Sequence, residues 1–298
     1  MITLKQAEAF YWTATLGSVV EAATRLNVTQ STLSKRLLEL EGNLGAALFD
    51  RTRQSIGLTR LGRTLVPSAA ELLHQERQFR AQTTGPLALS GSFRFGVTEL
   101  VALTWLPKLI LSMKKEFPNL VPEPEINSSA ALFARLAERR LDLAIGLDPP
   151  RVPAFEAVPL RHGRLQWMCA PHVGPVADRI NLAEIAKYPI LTQGEHSGLQ
   201  RLVVGWLRAK GITLNRAVTS DSLSVLSALA IAGLGITYLN EQYFQPELKA
   251  GRLRIIRTSP AIPIVRYFAV FSAGGPDPLA RKIAQIAKDC CDFSLRSS

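Results

Sequence analysis

The run Ala22-Ala23-Thr24-Arg25-Leu26-Asn27-Val28-Thr29-Gln30-Ser31-Thr32-Leu33-Ser34-Lys35-Arg36-Leu37-Leu38-Glu39-Leu40 decides the amino-terminal fold. Ala22, Ala23 and Leu26 share one helical face, and the two small alanines let another helix approach closely. Asn27-Val28-Thr29 breaks the pattern. Thr29 is suited to cap a second helix through its side-chain oxygen. Leu33, Leu37, Leu40 and Leu44 then recur at helical spacing. Two amphipathic helices joined by a short break form a helix-turn-helix. The outward face of the second helix carries Gln30, Ser31, Thr32, Ser34, Lys35 and Arg36. A glutamine can bond bidentately to adenine in the major groove, hydroxyls reach bases or phosphates, and lysine and arginine suit phosphates. Composition alone leaves a second reading open, in which this face is the solvated side of an ordinary helix pair.

The rest of the 298-residue chain sets bounds on what that motif serves. The length suits about two domains. Hydrophobic residues make up 47% and charged residues 20%, enough for a sizeable core and too little charge for a disordered chain. The apolar run 225–239 is broken by Gly233 and Gly235, and no stretch reaches the roughly 18 apolar residues of a membrane span. Residues 1–6 lack the apolar centre of a secretory signal. Three cysteines, two of them adjacent (Cys290 and Cys291), make no disulfide framework. A reducing, cytoplasmic setting is therefore expected, with no membrane partner. The net charge of +11 favours an acidic partner. Residues 1–90 carry 10 Lys+Arg against 7 Asp+Glu, so the excess is spread along the chain and points to no one face.

Residues 22–51 also carry a family resemblance. Ala22-Ala23, Leu26, Val28-Thr29-Gln30-Ser31-Thr32-Leu33-Ser34, Leu37, Leu40-Glu41, Leu44-Gly45, Leu48-Phe49 and Arg51 fill nearly every signature position of the LysR-type transcriptional regulators. Leu58-Thr59 and Gly62 resemble that family's exit from its wing into a linker helix. Val19, where an aromatic is usual after Gly17-Ser18, and Ser31, where proline is common, depart from the pattern without removing a DNA-facing group. The resemblance covers the whole chain. It implies an α/β protein with an all-α amino-terminal part. A winged helix-turn-helix would occupy 1–58, a linker and dimerisation helix 59–88, and an effector-binding domain 91–298. That last domain would be two-lobed and periplasmic-binding-protein-like, with lobes at about 91–163 plus 266–298 and at 164–265.

The implied partners are double-stranded promoter DNA, a small-molecule inducer and further copies of the chain, as homodimer or homotetramer. RNA polymerase is an additional partner that the resemblance admits. Neither an enzyme nor a cofactor is implied. The DNA-binding set is Thr29, Gln30, Ser31, Thr32, Ser34, Lys35 and Arg36, with Arg51 and Arg53 in a polar wing over 51–60. An arginine there could lie in a narrow minor groove.

Thr59 is placed to cap a helix reaching about residue 84. Leu61, Leu65, Ala69, Leu72 and Phe79 form its apolar stripe. A helix of roughly 25 residues spans about 37 Å, and its stripe would be exposed unless another chain covers it. Leu61, Leu65, Leu72 and Phe79 are thus the expected dimer seam. Pro67 removes one backbone hydrogen bond and should kink the helix near Arg63.

Beyond residue 91, short apolar strands alternate with amphipathic helices, which implies parallel sheets covered by helices. A strand at 93–97, a helix at 101–116, a strand at 122–126, a helix at 131–139 and a strand at 141–146 make the first unit. The second has strands at 165–170, 190–191, 217–219 and 236–239, with helices at 199–210 and 222–232. A strand at 264–271 and a helix at 278–291 close the chain. Ligands of such folds sit at the carboxyl ends of strands, where helix amino-termini attract anions. Four turns meet that description and supply the candidate inducer contacts: Thr98, Glu99 and Leu100; Ser128 and Ser129; His196 and Ser197; and Ser222. A small organic or amino acid is the expected inducer. Glu99 would oppose a purely anionic one and suit an ammonium group, unless it faces solvent or an arginine.

Two rival readings fit the sequence less well. An enzymatic α/β domain lacks support: GxxxxGK[ST] and GxSxG are absent, and Gly194-Glu195-His196-Ser197-Gly198 has histidine at its centre. His74, His162, His172 and His196 have no mutual ligand spacing, Cys169 and His172 have no second pair, and Gly233-Leu234-Gly235 precedes a strand. A bare solute-binding protein would lack residues 1–90 and carry an export signal.

Overall fold

The computed structural model describes residues 1–50, 57–83, 91–273 and 278–296. Arg51 and Arg53 lie outside the described residues. Two compact units divide the chain, 1–85 with 138–140, and 86–137 with 141–298.

The first unit opens with α1 (Leu4–Leu16), capped by Thr3 and stopped by Gly17 in the left-handed region. Ser18 caps α2 (Val19–Arg25) and Thr29 caps α3 (Gln30–Leu44), where Thr32 N donates to Thr29 Oγ1 at 3.2 Å. Leu33, Leu37 and Leu40 are buried with Ala22, Ala23, Phe10 and Leu48 in one core. A two-stranded ribbon follows, β1 (Phe49–Asp50) antiparallel to β2 (Gly57–Leu58). Then α4 (Arg60–Thr83) begins under Thr59, whose Oγ1 accepts from Gly62 N at 3.0 Å. Gly62 is required there: a Cβ would stand 2.2 Å from the Leu48 carbonyl oxygen. The helix carries Pro67 inside it and continues to Thr83.

The expected stripe on α4 divides between two environments. Leu65 packs on the core of its own unit, and Ala69 is buried there. Leu61, Leu72 and Phe79 remain exposed, Phe79 at 69%. Helical spacing fixes which residues share a face but not what covers that face, and α1 covers the middle of it.

The second unit has two lobes. In the first, β3 (Gly91–Val97) pairs parallel with both β4 (Leu120–Ile126) and β5 (Leu143–Leu147). The sheet is mixed rather than wholly parallel, because β13 (Val265–Ser272) runs antiparallel to β5 and to β6 (Phe155–Gly163). Against it lie α5 (Glu99–Leu103), α6 (Leu106–Glu116), α7 (Ser129–Ala137) and α11 (Pro278–Cys290). The single helix expected over 101–116 is two helices. Pro107 sits in the first turn of α6, where a missing N–H costs nothing. The Thr104 hydroxyl turns back to the Leu100 carbonyl at 2.6 Å.

The second lobe holds β7 (Leu165–Cys169), β8 (Arg179–Asn181), β9 (Ile190–Thr192), β10 (Arg216–Thr219), β11 (Thr237–Asn240) and β12 (Arg254–Ser259). Their order is β11-β7-β12-β8, with the parallel pair β10-β9 joined through a bridge between Ile190 and Ile236. The helices α8 (Gly198–Arg208), α9 (Leu223–Ile231) and α10 (Gln245–Lys249) belong to this lobe.

Candidate nucleic-acid interface and candidate ligand cleft

On α3, the buried leucines leave Gln30, Ser31, Thr32 and Lys35 exposed, with Ser34 and Arg36 half-buried. Thr29 is exposed too, but its hydroxyl is committed to the cap and lies 2.9 Å from Ser31 Oγ and 2.8 Å from Thr32 Oγ1. That hydroxyl cluster crowns the amino-terminus of α3. There the free N–H groups and the positive end of the helix dipole favour a phosphate.

All eight expected inducer contacts line one cavity of about 810 Å³ between the two lobes. Thr98, Glu99 and Leu100 follow the carboxyl end of β3, and Ser128 and Ser129 follow β4. His196 and Ser197 follow β9, and Ser222 follows β10. Their roles differ. Ser197 and Ser222 cap α8 and α9. Ser128 accepts weakly from Ala131 N at 3.4 Å, and buried Ser129 accepts from Leu147 N at 3.0 Å. Thr98 makes no side-chain cap bond. His196 is exposed.

Glu99 neither faces solvent nor meets an arginine. Its carboxylate reaches across to the amino-terminus of α9. Oε1 accepts from Ser222 Oγ at 3.1 Å, Ser224 N at 3.2 Å and Ser224 Oγ at 3.0 Å, and Oε2 accepts from Leu223 N at 2.5 Å. One of the four helix termini expected to be open to a ligand acid is thus filled by the chain itself. These bonds tie the first lobe to the second.

Asp221, part of the fourth turn Ser220-Asp221-Ser222 that the sequence offers to a ligand, also lines the cavity, as do Tyr238, Asn240 and Tyr267, which the sequence reading missed. Asp221 Oδ1 accepts from Gly194 N at 3.0 Å, an approach that a side chain on Gly194 would block. Tyr238 donates to Gln200 Oε1, and burial pushes the phenols of Tyr238 and Tyr267 up. Asn240 ends β11 as Thr98 follows β3, and the carboxyl end of that strand was the available signal.

Among the described residues, no group of three or more His, Cys, Asp or Glu could hold a metal ion, and no helix is long and apolar enough to cross a membrane. All three cysteines are buried. Burial pushes the Cys169 thiol up, and the Cys291 thiol up to about 11. Thiolate chemistry needs the opposite, a lowered pKa and access.

Two family models match the chain: the bacterial regulatory helix-turn-helix protein of the lysR family over residues 4–63, and the LysR substrate binding domain over 88–292. The chain belongs to the LysR family of transcriptional regulators, proteins that bind promoter DNA and small-molecule effectors. It is 26% identical over 269 residues to the uncharacterized HTH-type transcriptional regulator YeiE of Escherichia coli K12, spanning 89% of this chain and 88% of that protein. It is 27% identical over 288 residues to a probable hydrogen peroxide-inducible genes activator of Mycobacterium leprae, spanning 95% and 93%. A full-length OxyR variant from Pseudomonas aeruginosa has the same fold, with a TM-score of 0.75 at 21% identity over 100% of this chain and 98% of that one.

Proposed function

We propose that this regulator reads its operator with Gln30, holds the phosphates with Lys35 and Arg36, and changes its promoter contacts when a small organic molecule enters the cleft. The supporting observation is the division of α3 into a buried leucine face and an exposed polar face that begins at a capped helix terminus. Arg53 would extend the contact into the minor groove, with Arg51 as a further DNA contact of the wing. The setting is the cytoplasm, where promoter and RNA polymerase are accessible, and the chain acts by binding rather than turnover. The buried thiols of Cys169 and Cys291, pushed up by burial, speak against peroxide sensing at those two cysteines.

Gln30→Ala should weaken specific binding by about 1–3 kcal/mol and relax one base preference. Lys35→Ala should weaken all sequences alike and shallow the salt slope by about one unit. Titration of operator variants at several salt concentrations separates the two. Identical behaviour of both variants across all operators would sink the assignment of roles.

The exposed part of α4 supplies the proposed seam to a second copy, in a dimer that pairs further into a tetramer. Leu72→Glu and Phe79→Glu should shift sedimentation to smaller species, because a charge in an apolar interface is costly. An unchanged mass would remove α4 from the seam. Leu65→Glu is a poor probe of assembly, since Leu65 packs on the core of its own unit.

A further inference from the structure

We infer that the cleft takes an uncharged molecule with an apolar body and an acceptor oxygen: Glu99 occupies the α9 terminus, and the described lining offers an acid no lysine or arginine. The inference rests on the reading of the cleft as the effector site and narrows the chemistry of what enters it.

Three observations carry it. First, several helix amino-termini face the cleft, and at that of α9, which lines it through Ser222 and Leu223, four donors already hold the Glu99 carboxylate. A ligand carboxylate at that terminus would have to displace an anion tethered by the chain, at very high effective concentration.

Second, the lining carries Glu99 and Asp221, and among its described residues there is no lysine or arginine. A bound carboxylate would lose its hydration beside two like charges, without a cation to compensate. An ammonium would gain little at Glu99, because four donors at the positive end of α9 already offset that carboxylate's charge, and Asp221 Oδ1 is engaged by Gly194 N.

Third, the cavity holds polar atoms still wanting a partner. Asn240 is 1% exposed and lines the cleft. Its Oδ1 accepts from Tyr243 N at 3.0 Å, which fixes the amide and leaves Nδ2 without a hydrogen bond. Thr98 Oγ1 is buried, with the Tyr267 hydroxyl as a neighbour, and makes no hydrogen bond of standard geometry. A buried donor left unmet is destabilising, and a ligand oxygen placed against Asn240 relieves it. Leu100, Leu103, Leu147 and Leu165 supply an apolar wall for the body of such a molecule.

The test uses one carbon skeleton in three charge states, benzamide, benzoate and benzylamine, titrated calorimetrically into the full-length chain. Benzamide should bind at least about tenfold tighter than either ion. Glu99→Gln should shrink the preference for benzamide over benzoate by about tenfold, because a repulsive charge goes and the α9 terminus is less tightly held. Asn240→Asp keeps the shape and the acceptor for Tyr243 N but replaces the donor. It should weaken benzamide about tenfold, and it remains informative should Glu99→Gln fail to fold. Benzoate or benzylamine binding the wild-type chain as tightly as benzamide overturns the inference, as does an unmoved ratio in Glu99→Gln or no binding of any of the three. These titrations contain no DNA, so their failure leaves the operator reading standing, and that reading fails separately through Gln30→Ala.

Discussion

Asp142→Ala should lower the stability of the effector unit by about 3–5 kcal/mol, the usual cost of removing one partner from a buried ion pair. Asp142 and Arg94 are both buried, at 7% and 8% exposure. Asp142 Oδ2 accepts from Arg94 N at 2.8 Å, Oδ1 accepts from the Arg94 guanidinium at 3.1 Å, and Asp142 N donates to the Arg94 carbonyl at 2.8 Å. Three bonds thus clamp β3 to the start of β5. They set the register in which Val97 pairs with Ile145, and so where Thr98 and Glu99 emerge at the cleft. A slip of one residue would turn every side chain of β3 to the opposite face. All three cysteines are buried in this unit, so thiol labelling against denaturant reports its unfolding separately from the amino-terminal unit. Asp142→Asn keeps an acceptor and should lose distinctly less. A loss below about 1 kcal/mol in Asp142→Ala would place the pair with exposed ion pairs and remove its role as a clamp.

The clamp also shows what kind of information the sequence carries. Residues 22–45 could be read directly, because every signal there is local: Thr29 caps the helix it precedes, four leucines lie on one stripe, and Gly45 stops the helix in the left-handed region. The four strand-to-helix turns were legible for the same reason, and their residues line one cavity. Long-range partners were not. Glu99 meets Ser222, Leu223 and Ser224, more than 120 residues away, and no spacing rule connects them. β6 went unread because it is an edge strand with Pro159 in it and only Leu160 and Gly163 buried. A proline and a mostly exposed pattern both speak against a strand in isolation. On α4, periodicity showed the stripe but could not say that α1 would take Ala69 and leave Phe79 open. The division of α5 from α6 did have a local signal, Pro107, since proline favours the first turn of a helix over its interior.

The cleft extends that contrast to chemistry. An α/β fold offers helix termini to anions by default, and sequence position alone leads to an acidic ligand. The side chain at one position changes that expectation, because Glu99 brings its own charge to the terminus of α9. Fold and function therefore separate at this residue: the lobes and the cavity follow from the strand and helix pattern, whereas the ligand class follows from which donors the chain has already satisfied.

Leu33→Ala should destabilise the amino-terminal unit by about 2–5 kcal/mol, the range for emptying a buried leucine site. Leu33 is fully buried, packed in a core with Ala22, Ala23 and Phe10. The next residue along, Ser34, is half-buried, and the preceding Ser31 and Thr32 are exposed, so the substitution leaves the proposed DNA-facing atoms intact. Its effect on operator binding should come through the population of folded helix-turn-helix, not through lost contacts. That gives it a signature distinct from Gln30→Ala. The loss in Leu33→Ala should grow steeply on warming and affect all operator sequences equally, while Gln30→Ala should alter the ranking of sequences at every temperature. Thiol labelling of the effector unit should stay unchanged in Leu33→Ala, because the cysteines lie in the other unit. Limited proteolysis should cut residues of α3 far faster in Leu33→Ala than in wild type, since cleavage follows the population of the opened state. If Leu33→Ala changes which operator is preferred while proteolysis stays at the wild-type rate, then Leu33 does not act through the core and the orientation assigned to α3 is wrong.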